Sequence, residues 1–229
     1  MSELVKERAA APAKRQTTTF RAVVFDLDGV LVNGLPVMAE AFATAYHEVV
    51  GEGEPPFEEY CRHLGRHFPD IMRAMSLPLE LYEPFVRESN LRADRLCLFD
   101  DVEHVLRRLR RAGVMLAIAT GKSGERARVC VERLGIGHFF DIVRGGDEVA
   151  RPKPAPDVLL SIIDEFGVDR GDVLFVGDSC VDLECGRAAG VTFAAAAWGD
   201  GVKELLGRHP DLVLDVLKDV ERVVGIGDS

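Results

Sequence analysis

A chain of 229 residues with 28 Lys and Arg against 38 Asp and Glu has a formal net charge of −10, which repels nucleic-acid phosphates and anionic membrane surfaces. Its composition, 47% hydrophobic and 29% charged, is that of a globular protein with one core, or one core and a small second domain. Five cysteines, odd in number and without CxxC spacing, argue against a disulfide framework or a zinc site and read as reduced thiols of a cytoplasmic protein.

Residues 1–19, MSELVKERAAAPAKRQTTT, are polar and lack the apolar centre of a secretory signal, so a disordered tail is expected there. No apolar run approaches the ~20 residues of a membrane span. The next stretch, AVVFDLDGVLVNG from Ala22 to Gly34, carries an apolar run that ends in Asp26, Asp28 and Gly29. Side chains two apart on a strand point the same way, so an extended run sets these two carboxylates against each other. Something positive is expected between them.

Residues 34–95 read as helices without a convincing strand: PVMAEAFATAYHEVVG, FEEYCRHLGRHFPDIMRAM and LELYEPFVRESNLRA. From Leu96 the pattern becomes a repetition of helices and short apolar runs, among them VMLAIAT, FDIV, DVLFVGD, VTFAAAA and DLVL. The expected fold is α/β: a Rossmann-like, doubly wound parallel sheet over 20–33 and 96–229, with an all-helical cap over 34–95 inserted after the first strand. The basic run Arg107–Arg111 lies in an amphipathic pattern with Val105, Leu106 and Leu109, and reads as a solvated helix face.

Ligands of open parallel sheets bind beyond the carboxyl ends of the strands. Four apolar runs lead to chemistry-bearing residues at such ends: Asp26 and Asp28; Thr120 and Gly121; Lys153 in RPKPAPD; Asp178 and Asp182 in GDSCVD. Each alone suits a turn, a helix start, a solvated loop cation or an N-cap. Four together, at four strand ends, point to one site.

In these residues the chain resembles the haloacid dehalogenase-like superfamily of phosphotransferases, over about Phe20 to Asp215. The inserted helices resemble its phosphoglycolate-phosphatase-like branch. The resemblance implies Mg2+ against Asp26, the backbone carbonyl of Asp28, and Asp178, a set of oxygen ligands suited to that ion. It further implies Asp26 as nucleophile, Asp28 as general acid and base, and Thr120 with nearby N–H groups, including that of Gly121, on the phosphoryl oxygens. Lys153 would neutralise charge on Asp26 and the phosphoryl group. Asp182 would hold a metal-bound water or orient Lys153, although its position also suits the first turn of a helix.

The chain departs from the family pattern at two places. Asn33-Gly34 stands where many relatives have Asp-Ser, and Gly121 stands where Asn is commoner. The segment FEEYCRHLGRHFPDIMRAMSLPLELYEPFVRES is similar to phosphatases associated with 3-amino-5-hydroxybenzoic acid synthesis, which implies a sugar or aminosugar phosphate as substrate. Arg62, Arg66 and His67 are candidate leaving-group contacts, or else an exposed polar helix face. Phosphoglycolate phosphatase, a phosphosugar mutase and a silent binding protein remain as alternatives. Related mutases carry a His where this chain has Met38, and a thioether cannot relay a proton, though His47 or His67 would be substitutes. A small-molecule ester is the expected partner, with no nucleic acid and no membrane, for a monomer or homodimer.

Overall fold

The computed structural model describes residues 20–227, so the tail expected over 1–19 lies outside the described residues. The chain opens with β1 (Ala22–Phe25) and passes through β2 (Val32–Asn33) into four helices, α1 (Leu35–Val49), α2 (Phe57–Cys61), α3 (Phe68–Ala74) and α4 (Tyr82–Leu91). It returns through β3 (Cys97–Leu98), antiparallel to β2 with Val32 opposite Leu98 and Asn33 opposite Cys97. There follow α5 (Val102–Arg111), β4 (Met115–Ala119), α6 (Gly124–Arg133), β5 (Ile142–Arg144) and α7 (Asp157–Phe166). The chain closes with β6 (Val173–Gly177), α8 (Cys180–Ala189), β7 (Thr192–Ala196), α9 (Val202–Leu206), β8 (Leu212–Leu214) and α10 (Asp219–Val224).

Six strands form one parallel sheet in the order β5-β4-β1-β6-β7-β8. Because strand side chains alternate, each central strand feeds two cores. Val23, Phe25, Leu116 and Ile118 pack on the face covered by α5, α6 and α10, whereas Val24, Ala117, Phe175 and Phe193 pack on the face covered by α7 and α8. This is the doubly wound arrangement. Strands are added on both sides of β1, which makes the carboxyl ends of β4, β1 and β6 the switch point where a crevice opens.

The helices between β2 and β3 have an apolar cluster of their own. On α1 the buried positions Val37, Ala41, Phe42 and Ala45 fall on one face, and Pro36 occupies its first turn, where a missing N–H costs no helical bond. Phe42, Tyr60, Phe68 and Phe85 meet in that cluster, with Phe68 and Phe85 stacked at 4.7 Å between ring centroids.

Candidate active site

The site starts from the residue that ends β1. The Asp26 N–H donates to the Val176 carbonyl of β6 (2.9 Å), which continues the sheet ladder by one residue and fixes the carboxylate at the switch point. Lys153, on the loop before α7, donates from Nζ to Asp26 Oδ1 (2.8 Å), Asp182 Oδ1 (2.6 Å) and the Ala119 carbonyl (3.0 Å). An ammonium has three protons, and all three are used. Lys153 sits behind the Asp26 carboxylate and not between Asp26 and Asp28: the cleft is lined by Asp26, Asp28, Thr120, Gly121 and Asp178, while Lys153 and Asp182 stand outside the lining.

Asp182 is held at both oxygens. Oδ1 takes Lys153, and Oδ2 accepts from Ser179 N (3.2 Å) and Ser179 Oγ (2.5 Å), while Ser179 Oγ accepts from Asp182 N (3.2 Å). The pair is a reciprocal cap on the N-terminus of α8. Thus Asp182 both caps α8 and bonds the Lys153 ammonium.

Asp26, Asp178 and Asp182 bring one carboxylate oxygen each within 4.8 Å of one another, and they are 3%, 4% and 0% exposed. Three carboxylates against one ammonium leave two negative charges uncompensated at this depth. Burial pushes Asp26 up to about 7, with Lys153 opposing. Burial first, then Asp182 and Asp26, hold Asp178 well above the ordinary carboxylate range. Burial pulls the Lys153 ammonium down, but Asp182 and Asp26 outweigh it and keep the group charged.

The donor set therefore fits a hard divalent cation: oxygen ligands only, two charges to neutralise and one oxygen still unbonded on both Asp26 and Asp178 among the described residues. Around Asp178 the backbone closes in. A Cβ at Gly29, whose φ is +85°, or at Gly199 would fall on its carboxylate, and Gly201 N–H donates to Oδ2 (3.2 Å). Trp198 Nε1 donates to the Val30 carbonyl (3.0 Å) and ties the loop after β7 to the turn after β1.

Asp28 lies further out, with its side chain 23% exposed, and Lys122 Nζ is 3.0 Å from its Oδ2. Thr120, next to β4, donates from its N–H to the Arg144 carbonyl (3.1 Å), and its Oγ1 accepts from Lys122 N–H (3.2 Å). That leaves the hydroxyl proton free to donate into the cleft.

Of the residues at the two departures in sequence, Gly121 and Gly34 both sit at close approaches. A Cβ at Gly121 would strike the Gly65 and Arg66 carbonyls, because the turn before α3 lies directly on this loop. A Cβ at Gly34 would come within 3.2 Å of Asp28 Oδ1. The first is a clash with backbone; the second is a tight contact with a side-chain oxygen that a small shift relieves.

The three candidates on the helical segment part company. Arg62 is 65% exposed and pairs with Glu58, on the solvated face. His67 donates from Nδ1 to the Gly121 carbonyl (3.0 Å), which docks the turn onto the sheet loops and leaves the ring out of the cleft lining. Arg66 does line the cleft, and its Nε is buried without a partner among the described residues. Met38 lines the cleft too, whereas His47 is exposed and bonded to the Gly51 carbonyl (3.2 Å). Lys122 and Ser179 were missed in the sequence; the first stands two residues after Thr120 and the second next to Asp178, so adjacency to a motif was the available signal.

The sequence profile of the haloacid dehalogenase-like hydrolases matches residues 23–196, which spans Asp26, Asp28, Thr120, Lys153, Asp178 and Asp182. The chain belongs to that family. Among relatives of the chain in the haloacid dehalogenase-like family, a phosphoglycolate phosphatase of Pectobacterium atrosepticum is 30% identical over 93% of this chain and 96% of its own. The pyrophosphatase PpaX of Bacillus velezensis is 29% identical over 90% of this chain and 96% of its own. A haloacid dehalogenase-like hydrolase from Bacteroides fragilis superposes with a TM-score of 0.80 at 22% identity, over 88% of this chain and all of that one, a likeness of fold.

Proposed function

We propose that the chain is a Mg2+-dependent phosphatase of small phosphate monoesters that works through an aspartyl phosphate on Asp26. The hydrolase class follows from the family, and phosphatases recur among the relatives. The observation that carries the reading is Asp26 itself: a buried carboxylate at the switch point, one oxygen held by Lys153 and the other without a hydrogen bond among the described residues.

In the first step an Asp26 oxygen attacks phosphorus while the ester P–O bond breaks, and Asp28 gives its proton to the leaving oxygen. In the second, water attacks phosphorus, Asp28 takes the water proton, and the Asp26–phosphorus bond breaks. Lys153 keeps Asp26 aligned and charge-compensated from behind. Lys122 orients the Asp28 carboxyl. The Thr120 hydroxyl and the N–H groups of the following loop serve the phosphoryl oxygens, where charge accumulates in the transition state. Asp26 and Asp178 would hold Mg2+, with the Asp28 carbonyl as the family resemblance implies; the bound ion would supply electrostatic stabilisation to the phosphoryl oxygens. The turn over Gly121 excludes water from this end of the cleft, and the helices of 34–95 act as its cap.

The leaving group lies against the cap. A phosphorylated sugar or aminosugar of 3-amino-5-hydroxybenzoic acid synthesis is supported only by the resemblance of the cap segment, with Arg66 as its polar contact. A small acid phosphate such as phosphoglycolate is supported by the Pectobacterium relative and by the same unpartnered Arg66. A mutase finds no proton relay, since Met38 occupies the lining and His47 is turned to solvent. The test is a panel of phosphate esters with Mg2+, ranked by kcat/KM, with Asp26→Asn as the control. Phosphate release by the wild type and none by the variant is expected; undiminished release by the variant removes Asp26 from the chemistry.

A further inference from the structure

Beside the catalytic cleft runs a second cavity whose charge is opposite to that of the chain. The two share Asp28, Met38, Phe85, Lys122 and Arg126, so they are continuous past the acid that serves the leaving group. The second lies between α1, α4 and α6, with Val37, Asn90, Val129 and Arg133 among its further lining residues. Arg126 and Arg133 are seven residues apart on α6 and so share a helix face.

The cationic lining is Lys122, Arg126 and Arg133, and the one acidic lining residue is Asp28. Lys122 already takes Asp28, at 3.0 Å. The two guanidinium groups are left without a hydrogen-bonded or ionic partner among the described residues, in a chain whose net charge is −10. Apart from Arg66 in the adjoining cleft, other arginines near the cap are paired: Arg92 with Glu88, Arg95 with Glu40, Arg128 with Glu148. With acidic residues so plentiful, two open guanidinium groups facing one cavity mark a place where an anion arrives from outside.

Arg126 is also held in place. Its Cζ lies 5.5 Å from the centroid of the buried Phe85 ring, a cation–π contact. A planar fork of this kind matches a carboxylate or a phosphate with two parallel hydrogen bonds. Met38 and Phe85 add apolar surface to the same lining.

We propose that this cavity receives a second anionic group carried by the leaving group, so that the preferred substrates are phosphate monoesters with a carboxylate or another phosphate at the far end of a short carbon chain. The proposal rests on the phosphatase reading and adds to it the substrate class and the residues that select it. Of the neutral polar residues in the lining, Ser89 donates its hydroxyl to the Phe85 carbonyl (2.7 Å), which leaves the Asn90 amide beside the cationic groups.

The test uses two probe sets with Mg2+. The first is a series of ω-phosphooxy carboxylic acids of two to five carbons, α,ω-alkanediol bisphosphates of the same lengths, and neutral alkyl phosphates of matched size. At one chain length the wild type is expected to favour an acid or a bisphosphate over the neutral ester at least tenfold in kcat/KM. Arg126→Gln and Arg133→Gln should each shrink that ratio severalfold or more, and the two anionic series tell carboxylate from phosphate. Equal kcat/KM for anionic and neutral esters at every length overturns the proposal, as does a ratio that survives both substitutions. The second set, ω-phosphonocarboxylates against alkylphosphonates by calorimetry, needs no turnover. A tenfold preference lost in Arg126→Gln, in protein that hydrolyses none of the esters, would keep the subsite and discard the phosphatase reading. No preference in either set discards the subsite.

Discussion

Lys122 Nζ stands 3.0 Å from Asp28 Oδ2, and the Lys122 N–H donates to the Thr120 hydroxyl, so one residue ties the proposed general acid to the proposed phosphoryl contact. Lys122→Met removes the first link and keeps the second, because only the side chain changes. We expect kcat to fall roughly tenfold, a part of the ~10²–10⁴ that a positioned acid contributes, with little change in KM. The loss should be larger for alkyl than for nitrophenyl esters, whose leaving oxygen needs less protonation. Steady-state kinetics on both ester types check this, and an equal loss on both separates Lys122 from proton transfer.

Asp26→Asn should abolish turnover and leave the fold intact. Asn retains the shape and one acceptor for Lys153, while nucleophilicity is lost. Phosphate release and circular dichroism, measured on the same preparation, give the two readouts.

Metal-free protein should lose stability as pH rises. Asp26 is pushed from 3.8 to about 7 and Asp178 is raised in the same direction, so between pH ~4 and ~7 the folded chain holds protons that the unfolded chain has released. Stability therefore falls across that window, and Mg2+, which replaces those protons, should stabilise more strongly as pH increases. Urea midpoints at pH 5, 6, 7 and 8, with and without Mg2+, test the sign. Asp26→Asn should flatten the metal-free slope.

Gly121→Ala places a Cβ against the Gly65 and Arg66 carbonyls, and so holds the cap turn away from the sheet loops. The expected result is a drop in kcat/KM of tenfold or more with a small change in thermal midpoint, and faster proteolytic cleavage around residues 62–67. Unchanged proteolysis would show that the turn does not move.

Arg66→Ala should lower kcat/KM for the best anionic or sugar phosphate roughly tenfold, about the ~1.4 kcal/mol of a charged hydrogen bond, and scarcely affect a small aryl phosphate. Equal losses on both would make Arg66 a support of the turn.

The sheet and the acidic cluster were legible in the sequence because both depend on local pattern. Short, continuous apolar runs end in Asp26, Thr120 and Asp178, and a parallel sheet gathers its strand ends whatever else the chain does. The partners of those residues were less legible. That Lys153 lies behind Asp26 depends on the loop before α7 folding back across β4, and that His67 docks on Gly121 depends on the packing of the helical segment, for which no periodicity carries a signal. Arg62 and Arg66 look alike in the run RHLGRH, yet the turn at Gly65, with φ +88°, separates them: one faces solvent and the other lines the cleft. Arg126 and Arg133 read as ordinary helix-surface charges until the absence of partners around them is seen in three dimensions.

The two-residue ribbon of β2 and β3 brings Asn33 opposite Cys97, so the points where the chain leaves and rejoins the sheet are side by side. A segment held in this way can be exchanged without altering the spacing of anything on either side. Grafting the helices of a relative between Asn33 and Cys97 would change which esters are accepted while Asp26, Thr120, Lys153 and Asp178 keep their places on the sheet. Its chief requirement is a turn whose backbone carbonyls can lie against Gly121 as those of Gly65 and Arg66 do, which makes that one contact the compatibility rule for such chimeras.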